Sequence, residues 1–188
     1  MNLSDANQKS YFEYFDVEES FIVDIPYIRK IFEEEQNKIS ESMLNPANAH
    51  DMQNIMNQAV SLNEAYNTLS NPHARALYLI KINGFDISKE NPEVTPGFRM
   101  ASMNIMSALE EAEQSDNPYG AFREVLKRVS VNIENICRDL EMVLDCVDDV
   151  LDWESVAASL NELDFYLGIQ AKSQKLLYDF LRESKKKK

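Results

Sequence analysis

Few side chains in this sequence carry types and spacings that could do chemistry. Of the side-chain type that could titrate near neutrality the sequence holds two, His50 and His73. His50 is followed by Asp51, a pairing that reads as a loop histidine before an aspartate able to cap a helix beginning at Met52. His73 follows Pro72 and reads as a surface turn residue. Cys137 and Cys146 have no second pair and no nearby histidine, so neither a zinc site nor a disulfide framework is written, and Cys137 reads as apolar filler on a helix face. Glu33, Glu34 and Glu35 are consecutive, and on a helix they point in three directions and cannot converge on one ion. No nucleophile with a base and no glycine loop comes together, so the expectation is a protein that is not an enzyme and holds no metal or cofactor.

The elements that would position any site are helices. The chain has 188 residues and only 4 glycines, and Glu, Leu, Ala, Met and Lys are abundant, which favours an all-α fold. Residues 1–9 are polar and without periodicity, and the aromatic cluster Tyr11, Phe12, Tyr14 and Phe15 reads as a short helix or turn packed on a larger body. Asp24 can cap a helix reaching about Lys38, with Ile25, Ile28, Ile31, Phe32 and Ile39 inward. Residues 40–51 read as a loop. Met52, Ile55, Met56, Ala59, Leu62, Tyr66 and Leu69 then mark an antiparallel helix that Pro72 ends, and an apolar segment, 76–82, runs on to Gly84.

Residues 86–95 are polar, and Pro96-Gly97 follows them. Beyond this boundary Met100, Met103, Met106 and Leu109 mark a helix ending near Asn117-Pro118. A second helix extends from Phe122 through Val125, Leu126, Val129, Ile133, Ile136, Cys137, Leu140, Val143 and Leu144 to Val147. Asp152 can cap a last helix with Val156, Leu160, Leu163, Leu167, Leu177 and Leu181 on its face, and three such helices close a bundle.

The net charge of −13 argues against a nucleic-acid or anionic-membrane surface. The basic run 185–188 is a short tail, no stretch has the roughly 20 apolar residues of a membrane span, and no signal or transit pattern opens the chain. A soluble cytoplasmic protein is expected.

The segment 58–86, QAVSLNEAYNTLSNPHARALYLIKINGFD, carries a family pattern at Asn63, Ala65, Tyr66, Leu69, Pro72, Arg75, Ala76, Tyr78, Leu79 and Gly84. With YFEYF before it, this resembles the J-domain co-chaperones, specifically the HscB family of iron-sulfur cluster assembly. The likeness extends to the second half, where Trp153, Ala157, Leu163 and Phe165 are similar to that family's last helix and Phe98 opens the bundle. The resemblance implies a J-domain-like hairpin over 10–86, a linker over 87–97 and a scaffold-binding three-helix bundle over 98–183.

Function follows by the same resemblance. The bundle would bind the iron-sulfur scaffold protein through Met100, Met103, Glu111 and Phe165, whereas Arg99, Asn104 and Ser107 replace an aliphatic and two acidic positions of the family pattern. The hairpin would present the scaffold to a DnaK-type heat-shock chaperone and stimulate its ATPase through a His-Pro-Asp tripeptide. A count back from Pro72 without gaps puts Ser40, Glu41 and Ser42 at that tripeptide. Its absence, and the excess of Glu33, Glu34, Glu35 and Glu41 over Arg29 and Lys30, make a non-stimulating protein-interaction module the alternative.

Overall fold

The structure, a computed structural model, describes residues 9–144 and 152–186. Cys146 and Val147, residues 1–8 and the last two lysines lie outside them. The described residues form six α-helices and no strand, which confirms the all-α fold. They divide into two compact units, Met1–Phe85 and Asp86–Lys188.

In the first unit, α1 (Ile25–Leu44) begins where the sequence predicts: the Asp24 carboxylate accepts the Tyr27 N–H at 3.0 Å, and Pro26 occupies a first-turn position that needs no N–H donor. It ends later than predicted. The hydroxyls of Ser40 and Ser42 donate to the carbonyls of Gln36 and Lys38 at 2.8 and 2.9 Å, so these serines satisfy themselves within the helix instead of opening a loop. The connection shrinks to residues 45–48. The next helix, α2 (Ala49–Ser70), is capped by Asn48 rather than by Asp51. Asp51 instead sits in the first turn, where its N–H donates to Asn48 Oδ1 at 2.9 Å and its Oδ2 accepts from Ala47 N–H at 2.8 Å. That reciprocal arrangement is the logic of a capping box.

The pair α1 and α2 forms the hairpin, and α3 (Pro72–Ile82) covers it as a full helix. Asn71 closes α2 and opens α3, its Oδ1 accepting from Ala74 N–H at 3.0 Å. Gly84 then turns the chain at φ +85, a conformation that a side chain would strain. Ile28, Ile55, Leu62, Ala65, Leu69, Ala76, Leu79 and Ile80 form the buried interior together with Phe12, Phe15 and Phe21. The aromatic cluster is therefore core, as its density predicts, and it takes the form of turns rather than a helix. Tyr11 stacks on Tyr78 at 4.4 Å between centroids, and Phe32 stacks on Tyr66 at 4.2 Å. Arg75 is buried as well: its guanidinium donates to the Leu69 carbonyl, one of those left over at the end of α2, and lies 4.9 Å from the Phe21 ring centre.

The second unit is a three-helix bundle of α4 (Pro96–Glu113), α5 (Pro118–Leu144) and α6 (Trp153–Lys186). Thr95 caps α4, its hydroxyl oxygen accepting from Phe98 N–H at 3.1 Å. At the start of α5 the Asn117 amide oxygen accepts from Gly120 N–H at 3.2 Å. A Cβ on Gly120 would meet the Asn117 side chain at 2.7 Å, so glycine leaves room for this cap. Asp152 caps α6 through Ser155, whose N–H and hydroxyl donate to the two carboxylate oxygens at 3.3 and 2.6 Å. Ile105, Leu109, Ala112, Phe122, Val125, Val129 and Tyr166 form one buried cluster, with Phe98 and Phe165 packed against it.

Candidate functional site

The surface of α4 divides cleanly. Ile105, Leu109 and Ala112 face the bundle, whereas Met100 and Met103 are 67% and 66% exposed. Met106 is exposed with them, so of the run used to place this helix only Leu109 is core. Large flexible thioethers held in solvent while smaller residues fill the interior form an adaptable apolar surface. Glu111 continues the exposed face, its carboxylate accepting from the Ser107 hydroxyl at 3.1 Å, and Arg99, Asn104 and Ser107 are exposed beside it.

Phe165 is placed differently. It is half-buried on α6 and meets Phe98 edge-on, with ring centres 5.4 Å apart at 86°, and Tyr166 at 5.3 Å and 73°. The structure thus ties Phe165 to the start of α4 through Phe98, while Glu111 lies near the other end of α4. Trp153 is half-buried, and Ala157 and Leu163 are buried, so these motif residues serve the packing of α6.

A shallow groove of about 420 Å³ runs between α4 and α5, lined by Asn104, Ile105, Lys127, Arg128, Val131 and Tyr166 among others. Arg128 is engaged along its own helix by Glu124 at 3.3 Å. Burial, and secondarily the charge of Glu162, pushes the Tyr166 hydroxyl above its ordinary pKa of 10.0, so it stays a neutral phenol. Among the described residues no group of His, Cys, Asp or Glu could hold a metal ion.

In the hairpin, Ser40, Glu41 and Ser42 are exposed on the last turns of α1 and not in a loop. The connection between the two long helices carries Asn45, Pro46 and Ala47 instead. The gapless count missed them because α1 runs on to Leu44 and shortens the turn. The signal was present in Pro46, which cannot sit in a helix interior and marks the turn by itself. His50 is exposed on the first turn of α2, its ring 3.1 Å from the Asn54 amide. On α1 the Arg29 guanidinium donates to the Tyr66 hydroxyl at 3.2 Å, and that bond, with the attraction of Tyr66, raises its pKa.

No family model matches the chain. A co-chaperone protein HscB homolog from Shewanella pealeana is 26% identical over 136 residues, which are 72% of this chain and 78% of the relative. The solved structure of chaperone HscB from Vibrio cholerae superposes with a TM-score of 0.72 at 23% identity, covering 89% of this chain and 97% of that one. The crystal structure of human co-chaperone protein HscB gives 0.71 at 22% identity, covering 89% and 82%. These likenesses span both units, and no helix among the described residues is long and apolar enough to cross a membrane.

Proposed function

We propose that this chain, a homologue of the HscB co-chaperones and not an enzyme, is an adaptor of iron-sulfur cluster assembly: it binds the scaffold protein through α4 and the neighbouring Phe165, and presents it to a DnaK-type chaperone. The observation that carries the scaffold half is the outward placement of Met100 and Met103 while the same helix buries Ile105, Leu109 and Ala112. A helix that needed methionines for its core would turn them inward. Glu111 adds a carboxylate to the same free face. Titration of the full chain with an iron-sulfur scaffold tests this reading. Binding heat that weakens with Met103→Ala and Phe165→Ala is expected, and absence of any heat or mobility change would refute it.

The alternative, an interaction module that binds without stimulating the chaperone's ATPase, is favoured by one specific observation. The turn that joins the hairpin helices reads Asn45-Pro46-Ala47, so it keeps the proline of the family's tripeptide and lacks both its imidazole and its carboxylate. The helix before it carries Arg29, Lys30 and Lys38 against Glu33, Glu34, Glu35 and Glu41, and so offers no basic excess to an acidic partner. A steady-state ATPase assay with a DnaK-type chaperone separates the two readings. Stimulation by the natural chain supports presentation to the chaperone. Stimulation only after the double change Asn45→His with Ala47→Asp supports the module, and would place the deficit in the turn rather than at Ser40, Glu41 and Ser42.

A further inference from the structure

The exposed apolar surface of the bundle does not stop at the crest of α4. At about 100° per residue, Met100 stands about 60° from Met103 and about 40° from Asn104, and Asn104 lines the groove between α4 and α5. Met100 is therefore the lip of that groove. Val131, 49% exposed, lines its opposite side on α5, and the floor between them is Ala101, Ile105 and Tyr166. An apolar track thus runs from the two methionines across the groove to a second helix. A specific interface covers about 800 Å² on each partner, a patch roughly 28 Å across, whereas packed helices lie about 8–10 Å apart. A protein seated on Met100 and Met103 at that scale covers the groove and the wall of α5 as well.

That wall is locally cationic in a chain of net charge −13. Lys127 and Arg128 line it with a single carboxylate, Glu124. Glu124 is already engaged, its Oε1 accepting from the Arg128 guanidinium Nε at 3.3 Å. Lys127 has no ion pair among the described residues. A cation covered by a partner loses its water, and without a counter-charge that loss outweighs what the contact gains. The partner that covers Lys127 therefore has to bring the carboxylate.

We propose that the docking surface for the scaffold continues from α4 across the groove onto α5. It takes a segment of the scaffold that lays an aliphatic side chain against Val131 and the groove floor and pairs an Asp or Glu carboxylate with the Lys127 ammonium. The inference rests on the scaffold reading of Met100 and Met103, and it adds the chemistry of the partner, which is acidic where it meets α5. Arg128 lines the same groove and meets Glu124 through Nε, so its terminal amino groups can serve that carboxylate too. Asn104 contributes an amide from the α4 side.

Calorimetric titration of full-length variants with an iron-sulfur scaffold protein tests the proposal. Lys127→Glu is expected to weaken binding roughly tenfold or more, and Lys127→Arg to keep it within about twofold, because the pair depends on the sign of the charge. Lys30→Glu makes the same change in net charge on α1 and is expected to leave affinity within about twofold of the natural chain. Val131→Ala removes an apolar contact that is half exposed before binding and is expected to weaken it about threefold. If Met103→Ala weakens binding while Lys127→Glu and Val131→Ala bind like the natural chain, the surface ends on α4, and the proposal fails while the scaffold reading stands. Tighter binding by Lys127→Glu would mean a basic partner surface and overturn the proposal equally. A natural chain that does not bind the scaffold removes both.

Discussion

Met103 and Leu109 sit on the same helix and offer a direct test of the division between its two faces. Met103 keeps 66% of its surface in water and Leu109 keeps 2%. Full burial of a side chain of this size is worth about 1.5–3 kcal/mol, and about two-thirds of that remains for a partner to gain at Met103. Met103→Ala is therefore expected to weaken scaffold binding by ~1–2 kcal/mol, a factor of roughly 5–30 in dissociation constant, while unfolding stability moves by no more than ~0.5 kcal/mol. Leu109→Ala does the reverse: it opens a cavity among Ile105, Val125 and Val129 and is expected to cost ~2.7–5 kcal/mol of stability. Calorimetric titration and urea unfolding followed by far-ultraviolet circular dichroism measure the two quantities on the same preparations. If Met103→Ala unfolds the bundle, or leaves affinity unchanged while binding itself persists, the assignment of this face to the scaffold is wrong.

Three further outcomes follow from individual side chains. Ser173 is fully buried on α6, and its hydroxyl meets no partner among the described residues, so Ser173→Ala is expected to raise stability by about 1 kcal/mol in the same urea assay. Burial raises the Glu162 carboxyl above its ordinary 4.5, so the fold prefers the protonated acid, and stability falls as pH rises through the raised value. Glu162→Gln should lift the melting temperature at pH 7 and not at pH 4, and only slightly, because the side chain is half-buried and solvent screens part of the effect. Asp152 behaves oppositely: hydrogen bonds from the Ser155 hydroxyl and N–H hold it below its ordinary 3.8, so its cap stabilises α6 above that pH and is lost as pH falls through the lowered value. Asp152→Asn keeps a capping oxygen and should flatten that acid limb of the melting curve.

The parts of this fold legible in the sequence were those that a single residue type dictates. Asp24 and Asp152 stand at real helix starts because a short carboxylate before an apolar run has few better uses, and Pro72 marks a real corner. The end of α1 was hidden: a stretch rich in serine and asparagine reads as loop, although Ser40 and Ser42 turn their hydroxyls back onto carbonyls of the same helix. The gapless spacing from Pro72 therefore falls on Ser40, Glu41 and Ser42 inside α1 and not on the turn at Pro46. The methionines of α4 show a second limit. At about 100° per residue the three-residue steps of Met100, Met103, Met106 and Leu109 walk through about 180° of the helix, so the run marks a helix but no single stripe, and Leu109 falls opposite Met100, one buried and the other exposed. The small residues Ala101, Ala108 and Ala112, which let α4 approach its neighbours, carried the information about which side faced in.

The corner at Asn71 sets a rule about length. One residue serves as the last of one helix and the first support of the next, with no spare link between them. Inserting a single residue after it would advance α3 by a phase of about 100°, carrying Ala76 and Ile80 to the exposed stations now held by Leu77 and Lys81 and forcing Tyr78 into the buried station of Leu79. The turn at residues 45–48 has more slack: the bonds that start α2 come from Ala47 and Asn48 at its far end, so a residue added between Asn45 and Pro46 leaves that cap in place. The hairpin therefore measures distance rigidly at one end and loosely at the other, and changes in chain length belong at the loose end.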